Sequence, residues 1–282
     1  MITKQDFLQA IQSLGLQEKD ICIHTSLRAF GDRIEGGADG MIDGFLAQGC
    51  TVLVPTFSYN FQARPEPPYM PPRNSDTEDY AYFMSQEYGN IGVYDVTSKD
   101  IDLEEMGHFP KCVLERDGSI RGNHPINSFT ALGKHAARLV EPQNFRDVYA
   151  PLRQLYEDDG CVLLMGVDLE NATAIHYAEQ VAGRVPFVRW AKDKAGNTIP
   201  VSAGSCSEGF GNFRKALEPY RKAVTLGKAV ISCYSVRQLV DICVEEMQKN
   251  PRITHCGDPS CGRCNDAVLG GPILPPDFWP GD

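Results

Sequence analysis

A histidine and a glutamate stand three positions apart in a helix that is predicted to follow a buried strand. The apolar run from Cys161 to Val167 is typical of a strand buried on both faces, and Asn171 is the predicted cap of the next helix. Residues three apart on a helix share a face, so His176 and Glu179 should point the same way, near the strand end where α/β proteins bind small molecules. The pair suits a general base oriented by a carboxylate; a solvated surface pair is the alternative.

A second group of candidate residues lies in the segment TSLRAFGDRIEGGADG. The hydroxyl side chains of Thr25 and Ser26 end an earlier predicted strand, and Gly36 and Gly37 open the helix that follows. Backbone amides at a helix N-terminus after glycines bind phosphate well, with a plain tight turn as the alternative. The segment has neither the G-x-G-x-x-G nor the Walker pattern, so a nicotinamide or nucleoside triphosphate site is not supported.

The segment GSIRGNHPINSFTALG contains a histidine directly before a proline. The proline holds His124 extended, which favours a histidine that fixes a loop through hydrogen bonds, with catalysis as the alternative. Ser128 is the predicted cap of a helix over residues 128–140, and it is also a candidate ligand donor.

Four potential metal ligands lie close together near the end of the chain. His255, Cys256, Cys261 and Cys264 fall within ten residues, and thiolates with an imidazole suit Zn²⁺. A structural zinc site usually draws its second pair of ligands from further away, so unbound or redox-active thiols and a disulfide or cluster remain open. A bound metal would be structural and would anchor the proline-rich tail, either against the body of the protein or against a second subunit of a homodimer.

Helices and strands alternate in the first sixty residues, which predicts a parallel sheet with crossover helices. A helix over 4–15 precedes the strand DICIHTSL, and a second helix precedes the strand CTVLVPTF. Further along, RVPFVRWAKDKAGNTIPVSA predicts a β-hairpin, and Ser235 and Gln238 form a predicted capping box for the last helix. The expected fold is α/β, with a central, largely parallel sheet, helices on both faces, the hairpin, a long flap and a Cys-rich tail.

The flap covers residues 59–100, which are rich in proline, aromatic and acidic residues and show no sustained period. Long ordered loops often line active sites. We therefore expect one domain over 1–250, including this flap, and a Cys/His-containing tail over 251–282. The acidic side chains that could face a cationic acceptor, or else be solvated surface acids, are Glu78, Asp79, Asp168, Glu170 and Glu208.

The amino-acid composition limits which kinds of partner the protein is expected to bind and in which cellular compartment it is expected to be found. The 282 residues carry a formal net charge of -10, which argues against nucleic acid and permits a cationic small molecule. The N-terminal helix lacks the basic and apolar regions of a secretory signal, and no apolar run is long enough to span a membrane. We therefore expect a cytoplasmic protein that binds neither membranes nor nucleic acid.

Four ordered motifs carry a resemblance to a known family. The segments IHTSLRAFG, NHPINSFTALG and AIHYAE, with the glycine-rich EGGADG between the first two, closely resemble the aminoglycoside 3-N-acetyltransferases over roughly residues 5–250. Members of that family typically read H-[ST]-S-L near the start, HP followed by SF in the middle and H-x-A-E later. The match is specific for the family and much less specific for the substrate.

The resemblance implies acetyl-CoA as co-substrate, lying over the first loop, and direct transfer of its acetyl group to an amine. His176 would be the general base and Glu179 the carboxylate that orients it. The residues implied at acetyl-CoA are Thr25, Ser26 and Leu27 near the pantetheine arm, Gly36 and Gly37 near the phosphates, and Ser128.

Three functions remain open at this point. The first is an N-acetyltransferase acting on an aminoglycoside or a related amine-bearing natural product, with antibiotic resistance as a candidate role. The second is a biosynthetic acyltransferase of the same fold that acts on an amino or amido sugar, a nucleoside or a phosphonate. The third is a metal-binding protein of the same fold that has no catalytic activity. The presence of both His176 and Glu179 argues against this third function.

Overall fold

The computed structural model describes residues 1–75, 77–88 and 91–280, with only the backbone described at 77–79. The strands are β1 (Asp20–Thr25), β2 (Thr51–Pro55), β3 (Ile120–Arg121), β4 (Phe129–Leu132), β5 (Cys161–Met165), β6 (Phe187–Lys192), β7 (Thr198–Ala203), β8 (Lys222–Leu226) and β9 (Ala229–Ser235). Within this part of the chain, seven strands form one sheet in the order β3-β4-β2-β1-β5-β9-β8, and β6 pairs with β7 as the predicted hairpin.

The sheet is mixed, and its parallel pairing is confined to the centre. Strand β1 pairs in parallel with β2 and with β5, as the alternating helices and strands predict. The pairs β2–β4, β3–β4, β5–β9 and β8–β9 are antiparallel. The predicted α/β class is confirmed, and three strand ends of the parallel centre open toward the same edge.

The helices are α1 (Lys4–Leu14), α2 (Gly37–Ala47), α3 (Thr77–Ser85), α4 (Leu103–Met106), α5 (His108–Glu115), α6 (Ala136–Val140), α7 (Ala150–Glu157), α8 (Ala174–Val181), α9 (Arg214–Leu217), α10 (Val236–Lys249) and α11 (Gly262–Val268). Short 3₁₀ turns cover Leu27–Phe30, Tyr59–Phe61, Leu169–Asn171, Phe210–Phe213, Glu218–Tyr220 and Pro251–Thr254. No helix in the described ranges combines the length and the apolar character that crossing a bilayer requires.

The two faces of the sheet carry separate hydrophobic cores, because successive side chains of a strand point to opposite sides. In β1, Ile21 and Ile23 pack with α1, α2 and α5, while Cys22 between them packs with α6, α7, α8 and α10. On the first face, the edge of Phe7 meets the ring of Phe45 at 5.2 Å between centroids. Helices therefore cover both faces, as expected.

Two predicted helix starts are wrong. Residues 128–140 do not form one helix: Phe129–Leu132 is the buried strand β4, and the helix begins only at Ala136. Short apolar runs fit either structure, and here antiparallel pairing with β2 decides. Asn171 does not cap α8, because it ends a 3₁₀ turn that Asp168 caps, and Thr173 precedes the helix.

The flap, the hairpin and the C-terminal tail pack together. The flap contains α3 and a 3₁₀ turn, so it is more ordered than its composition predicts. Trp190 of β6 is fully buried, and its indole nitrogen donates to the Tyr69 carbonyl oxygen at 2.6 Å. Phe83 from α3 and Phe278 from the tail join the same cluster. The tail thus packs against its own chain, which was one of the two alternatives left open.

Candidate active site

A cavity of about 310 Å³ opens at the carboxyl ends of the parallel strands. Thr25 ends β1, Pro55 ends β2, and Val167 lies just beyond β5; all three line it. This is the edge at which open α/β sheets bind ligands. The lining also includes His176 from α8, and Gly204, Ser205 and Ser207 from the segment that follows β7.

His176 and Glu179 share the inner face of α8, as their spacing predicts. The imidazole Nδ1 lies 2.8 Å from the Glu179 Oε2, and the two side chains are 11% and 8% exposed. An ionised carboxylate only accepts hydrogen bonds, so Nδ1 carries the proton and Nε2 keeps its lone pair. An imidazole in this tautomer, at the wall of a cavity, can accept a proton from a bound molecule.

The His176–Glu179 pair, called the dyad below, has a third partner in Arg184, which was not predicted from the sequence. Its Nη1 donates to the other Glu179 oxygen, Oε1, at 2.6 Å and to Thr254 Oγ1 at 2.7 Å. Its Nη2 donates to the Pro251 carbonyl oxygen at 2.6 Å. The Arg184 side chain is 9% exposed, so the buried carboxylate has a largely buried positive partner. Glu179 is therefore held from both sides.

Aromatic rings fix the imidazole in orientation. Tyr149 stacks on His176 with an interplanar angle of 11° and 6.0 Å between centroids, and Phe210 meets it edge-on at 4.7 Å. Burial, together with the negative charge of Glu179, raises the pKa of Tyr149 well above its usual 10. The tyrosine therefore remains a neutral phenol at any pH at which the protein is handled. No sequence pattern indicated either aromatic contact.

Gly204, directly after β7, leaves space in front of the imidazole. A Cβ there would lie 2.8 Å from Tyr149 Oη and 3.4 Å from His176 Nε2. We expect Gly204→Ala to lower kcat/KM by up to about 10²-fold, because small displacements of reacting groups are costly. Adding Tyr149→Phe removes the crowded oxygen, so the double variant should approach the rate of Tyr149→Phe alone. Full activity of Gly204→Ala in steady-state assays would contradict this role.

The residues expected at acetyl-CoA are only partly brought together. Thr25 lines the cavity, and its buried hydroxyl has no hydrogen-bond partner within the described part of the chain. Ser26 precedes the 3₁₀ turn that begins at Leu27, and both residues lie outside the cavity lining. Gly36 and Gly37 open α2 with positive φ, and they lie outside the cavity lining.

Ser128 is engaged in the protein's own hydrogen bonds. The fully buried hydroxyl donates to the Thr56 carbonyl oxygen at 3.0 Å and accepts from Arg121 Nε at 2.8 Å. It lies outside the cavity lining. Ser128 lies directly before strand β4 and not at a helix start, and this accounts for the difference.

The expected acceptor-side acids are scattered. Glu170 lines the cavity, whereas Asp168 caps a turn and pairs with Arg214, and Glu208 is exposed outside the lining. The side chains of Glu78 and Asp79 lie outside the described residues. Three charged residues that line the cavity were not expected: Glu105 from α4, Arg189 from β6 and Arg263 from α11.

His124 fixes a loop, which was the favoured interpretation. Its Nε2 donates to the Ser202 carbonyl oxygen at 2.8 Å, and its Nδ1 accepts from the Asn127 amide at 2.9 Å. Burial lowers the pKa of His124 from 6.5 to about 4. Burial likewise lowers the pKa of His24, which lines the cavity, to about 4.

These buried histidines predict a pH-dependent stability. Between pH 4 and 6.5 the unfolded state binds more protons than the folded state, so stability is full above 6.5 and is lost as the pH falls toward 4. Each histidine should contribute on the order of 3 kcal/mol to this loss. His124→Gln should flatten the slope measured by urea unfolding at several pH values. An unchanged slope would show that His124 is not buried in its neutral form.

Three of the four expected metal ligands lie together in the structure, but the fourth, His255, does not join them. Cys256, Cys261 and Cys264 lie with Cys206, their sulfur atoms all within 4.8 Å of one another. His255 is directed elsewhere: its Nδ1 accepts from the Gly257 amide at 3.0 Å, and its Nε2 lies 3.1 Å from the Asn265 Oδ1. Cys206 follows β7, fifty residues before the tail motif, so no local spacing could have included it.

Comparison with known proteins relates this site to one family. The sequence model of the aminoglycoside 3-N-acetyltransferases matches residues 22–248. An aminoglycoside N(3)-acetyltransferase III from Salmonella sp is 28% identical over 195 residues, and the match covers 67% of this chain and 64% of that protein. The chain thus matches less than two thirds of the length of this relative.

Solved structures share the fold. A mutant of the aminoglycoside acetyltransferase AAC(3)-IVa in complex with a gentamicin superposes with a TM-score of 0.73 at 19% identity, covering 95% of this chain and 97% of the other. The binary complex of AAC-IIIb with CoASH gives 0.70 at 18% identity, covering 88% and 96%. Because the family sequence model spans most of this chain, the protein belongs to the aminoglycoside 3-N-acetyltransferase family.

Proposed function

We propose that the protein is an acetyl-CoA-dependent N-acetyltransferase that acetylates an amino group of an aminoglycoside or of a related amine-bearing natural product. The observation that carries the proposal is the His176–Glu179 dyad, oriented on both sides and placed at the cavity beyond the parallel strands. Family membership and the CoASH complex of a protein with the same fold support the donor. Use of acetyl-CoA would place the reaction in the cytoplasm.

In the proposed reaction His176 acts as a general base. Its Nε2 takes a proton from the acceptor amine as the amine nitrogen attacks the thioester carbonyl carbon of acetyl-CoA. The carbon–nitrogen bond forms, the carbonyl oxygen becomes an oxyanion, and collapse of this intermediate breaks the carbon–sulfur bond. The proton on the imidazolium can then pass to the departing thiolate of CoA.

Other residues assist without reacting. The Glu179 carboxylate stabilises the imidazolium that forms during the reaction, and it keeps the ring in the tautomer that exposes Nε2. The buried hydroxyl of Thr25 is a candidate donor to the oxyanion at the strand end. No covalent enzyme intermediate is needed, because the amine can attack acetyl-CoA directly.

The charged side chains that line the cavity indicate which kinds of acceptor could bind there. Glu105 and Glu170 can meet the ammonium groups of an aminoglycoside, but Arg189 and Arg263 bring two positive charges to the same cavity. Those charges favour, as the second candidate, an acceptor that carries an anionic group as well as its amine, such as an amino-bearing phosphonate or phosphorylated sugar. Such an acceptor would fit a biosynthetic acyltransferase of this fold.

An acceptor panel tests the two candidates together. Initial rates of thiol release from acetyl-CoA would be measured with aminoglycosides, neutral amino sugars and amines that carry a phosphonate or phosphate. Product mass must confirm each acetylation, because the chain's own free cysteines add to the thiol signal. We expect kcat/KM to be highest for aminoglycosides. A higher value for the anionic amines would move the assignment to the second candidate, and no acetylated product from any acceptor would contradict both.

A further inference from the structure

Four cysteine side chains from separate segments meet beside the cavity. Cys206 lies in the segment after β7, and Cys256 follows the 3₁₀ turn at residues 251–254. Cys261 directly precedes α11, and Cys264 lies in the first turn of that helix. Their four sulfur atoms lie within 4.8 Å of one another, and all four are free thiols in the structure. Cys264 is buried and the other three are half-buried.

This arrangement matches the donor set of a closed zinc site. A tetrahedral Zn²⁺ with Zn–S bonds of about 2.3 Å holds its sulfurs about 3.8 Å apart, within the observed spread. The Cys256 amide already donates to the Cys264 sulfur at 3.4 Å, the kind of contact that supports a metal-bound thiolate. Four thiolates leave no open coordination position, which marks a structural rather than a catalytic ion.

The four cysteines are close in sequence to residues that line the cavity. Cys206 lies between Ser205 and Ser207, and Arg263 lies between Cys261 and Cys264; Ser205, Ser207 and Arg263 all line the cavity. The segment around Cys206 follows Gly204, the residue in front of the imidazole. A link among the four sulfurs would therefore fix two pieces of chain that together form one side of the site.

Other contacts also join the segment after β7 to the tail: Gly209 packs closely against the backbone of Thr254 and His255, next to Cys256. The direct hydrogen bond between them runs from Ser205 Oγ to the Arg263 carbonyl oxygen, at a long 3.5 Å. Helix α11 has seven residues, too few to be stable without external contacts. A metal bound by all four sulfurs would hold the two pieces of the wall at a fixed distance from each other.

We propose that Cys206, Cys256, Cys261 and Cys264 bind one Zn²⁺ ion, which positions Ser205, Ser207 and Arg263 for the acceptor. Each thiol releases its proton on binding, so the ion is held by four thiolates. The metal site is independent of the reaction, whereas its effect on the acceptor rests on the proposed function. It differs from the tail site expected from sequence, since a thiol fifty residues upstream replaces His255.

Metal content tests the site itself. Protein produced with zinc, kept reduced and freed of loose metal by gel filtration should contain one zinc per chain by elemental and native mass spectrometry. Cys206→Ser should contain little or none, and Cys112→Ser, which changes a thiol outside the cluster, should keep it. Zinc-free wild type, or zinc that is retained in Cys206→Ser, would overturn the site. Disulfides among the four cysteines in freshly reduced wild type would also overturn it.

Kinetics test the positioning role separately. Metal-free wild type, prepared with a chelator, avoids dependence on the folding of the Cys206→Ser variant. Both should show a KM for the acceptor raised about tenfold or more, with a much smaller change in the KM for acetyl-CoA. Equal KM values with and without zinc would overturn the positioning role. Bound zinc in a chain that acetylates no acceptor would leave the metal site standing and contradict the proposed function.

Discussion

His176→Asn should reduce kcat for acetyl transfer by about 10²- to 10⁴-fold, the usual contribution of a positioned general base. An asparagine amide can still donate to Glu179 from the position of Nδ1, but it cannot accept a proton as Nε2 does. The structural contacts of the dyad are thus largely kept while its basicity is removed. Steady-state rates at saturating acetyl-CoA and acceptor measure the effect.

A matched histidine outside the site serves as the control. His108→Asn alters a residue at the start of α5 that does not line the cavity, so its kcat should stay at the wild-type value. Acetyl-CoA affinity, measured by calorimetry, should be unchanged in His176→Asn. If His176→Asn retained wild-type kcat, His176 would not be the base, whatever the family resemblance.

Glu179→Ala should affect stability as well as rate. It leaves the guanidinium of Arg184, whose side chain is 9% exposed, without its charge partner. Removing one member of a buried pair typically costs about 3–5 kcal/mol, which urea unfolding can measure. The rate should fall too, because the imidazole loses the group that fixes its tautomer and stabilises its charged form.

A double variant separates these two effects. Glu179→Ala with Arg184→Met removes both charges, so much of the lost stability should return while kcat remains low. Arg184→Met alone should be destabilised, because it leaves Glu179 buried without its positive partner. Recovery of both stability and kcat in the double variant would mean that Glu179 acts only as a partner of Arg184 and not on the imidazole.

The sequence predicted the local part of the site and missed the part made by distant segments. Spacing on one helix was enough to place His176 and Glu179 together. Arg184 reaches back only because the chain reverses after α8, at Gly183 with φ of 93°. Its other partners, Thr254 and Pro251, come from beyond α10, and no sequence pattern connects them to it.

The errors have the same physical origin. The run at Phe129–Leu132 satisfies helix and strand patterns alike, and only its pairing with β2 makes it a strand. That pairing in turn buries Ser128, which the helix prediction had left available to a ligand. Cys206 likewise joins the tail thiols through folding of the hairpin and not through spacing. Non-local contacts account for each of these differences.

The position of the acceptor amine tests the central claim most directly. A crystal structure of His176→Asn with CoA and an amine that the wild type acetylates would show this position. We predict that the amine nitrogen lies in the cavity beside Val167 and Gly204, about 3 Å from the site of the imidazole Nε2, with the CoA sulfur next to it. An amine bound beyond reach of that atom, or a CoA sulfur directed away from it, would contradict His176 as the base.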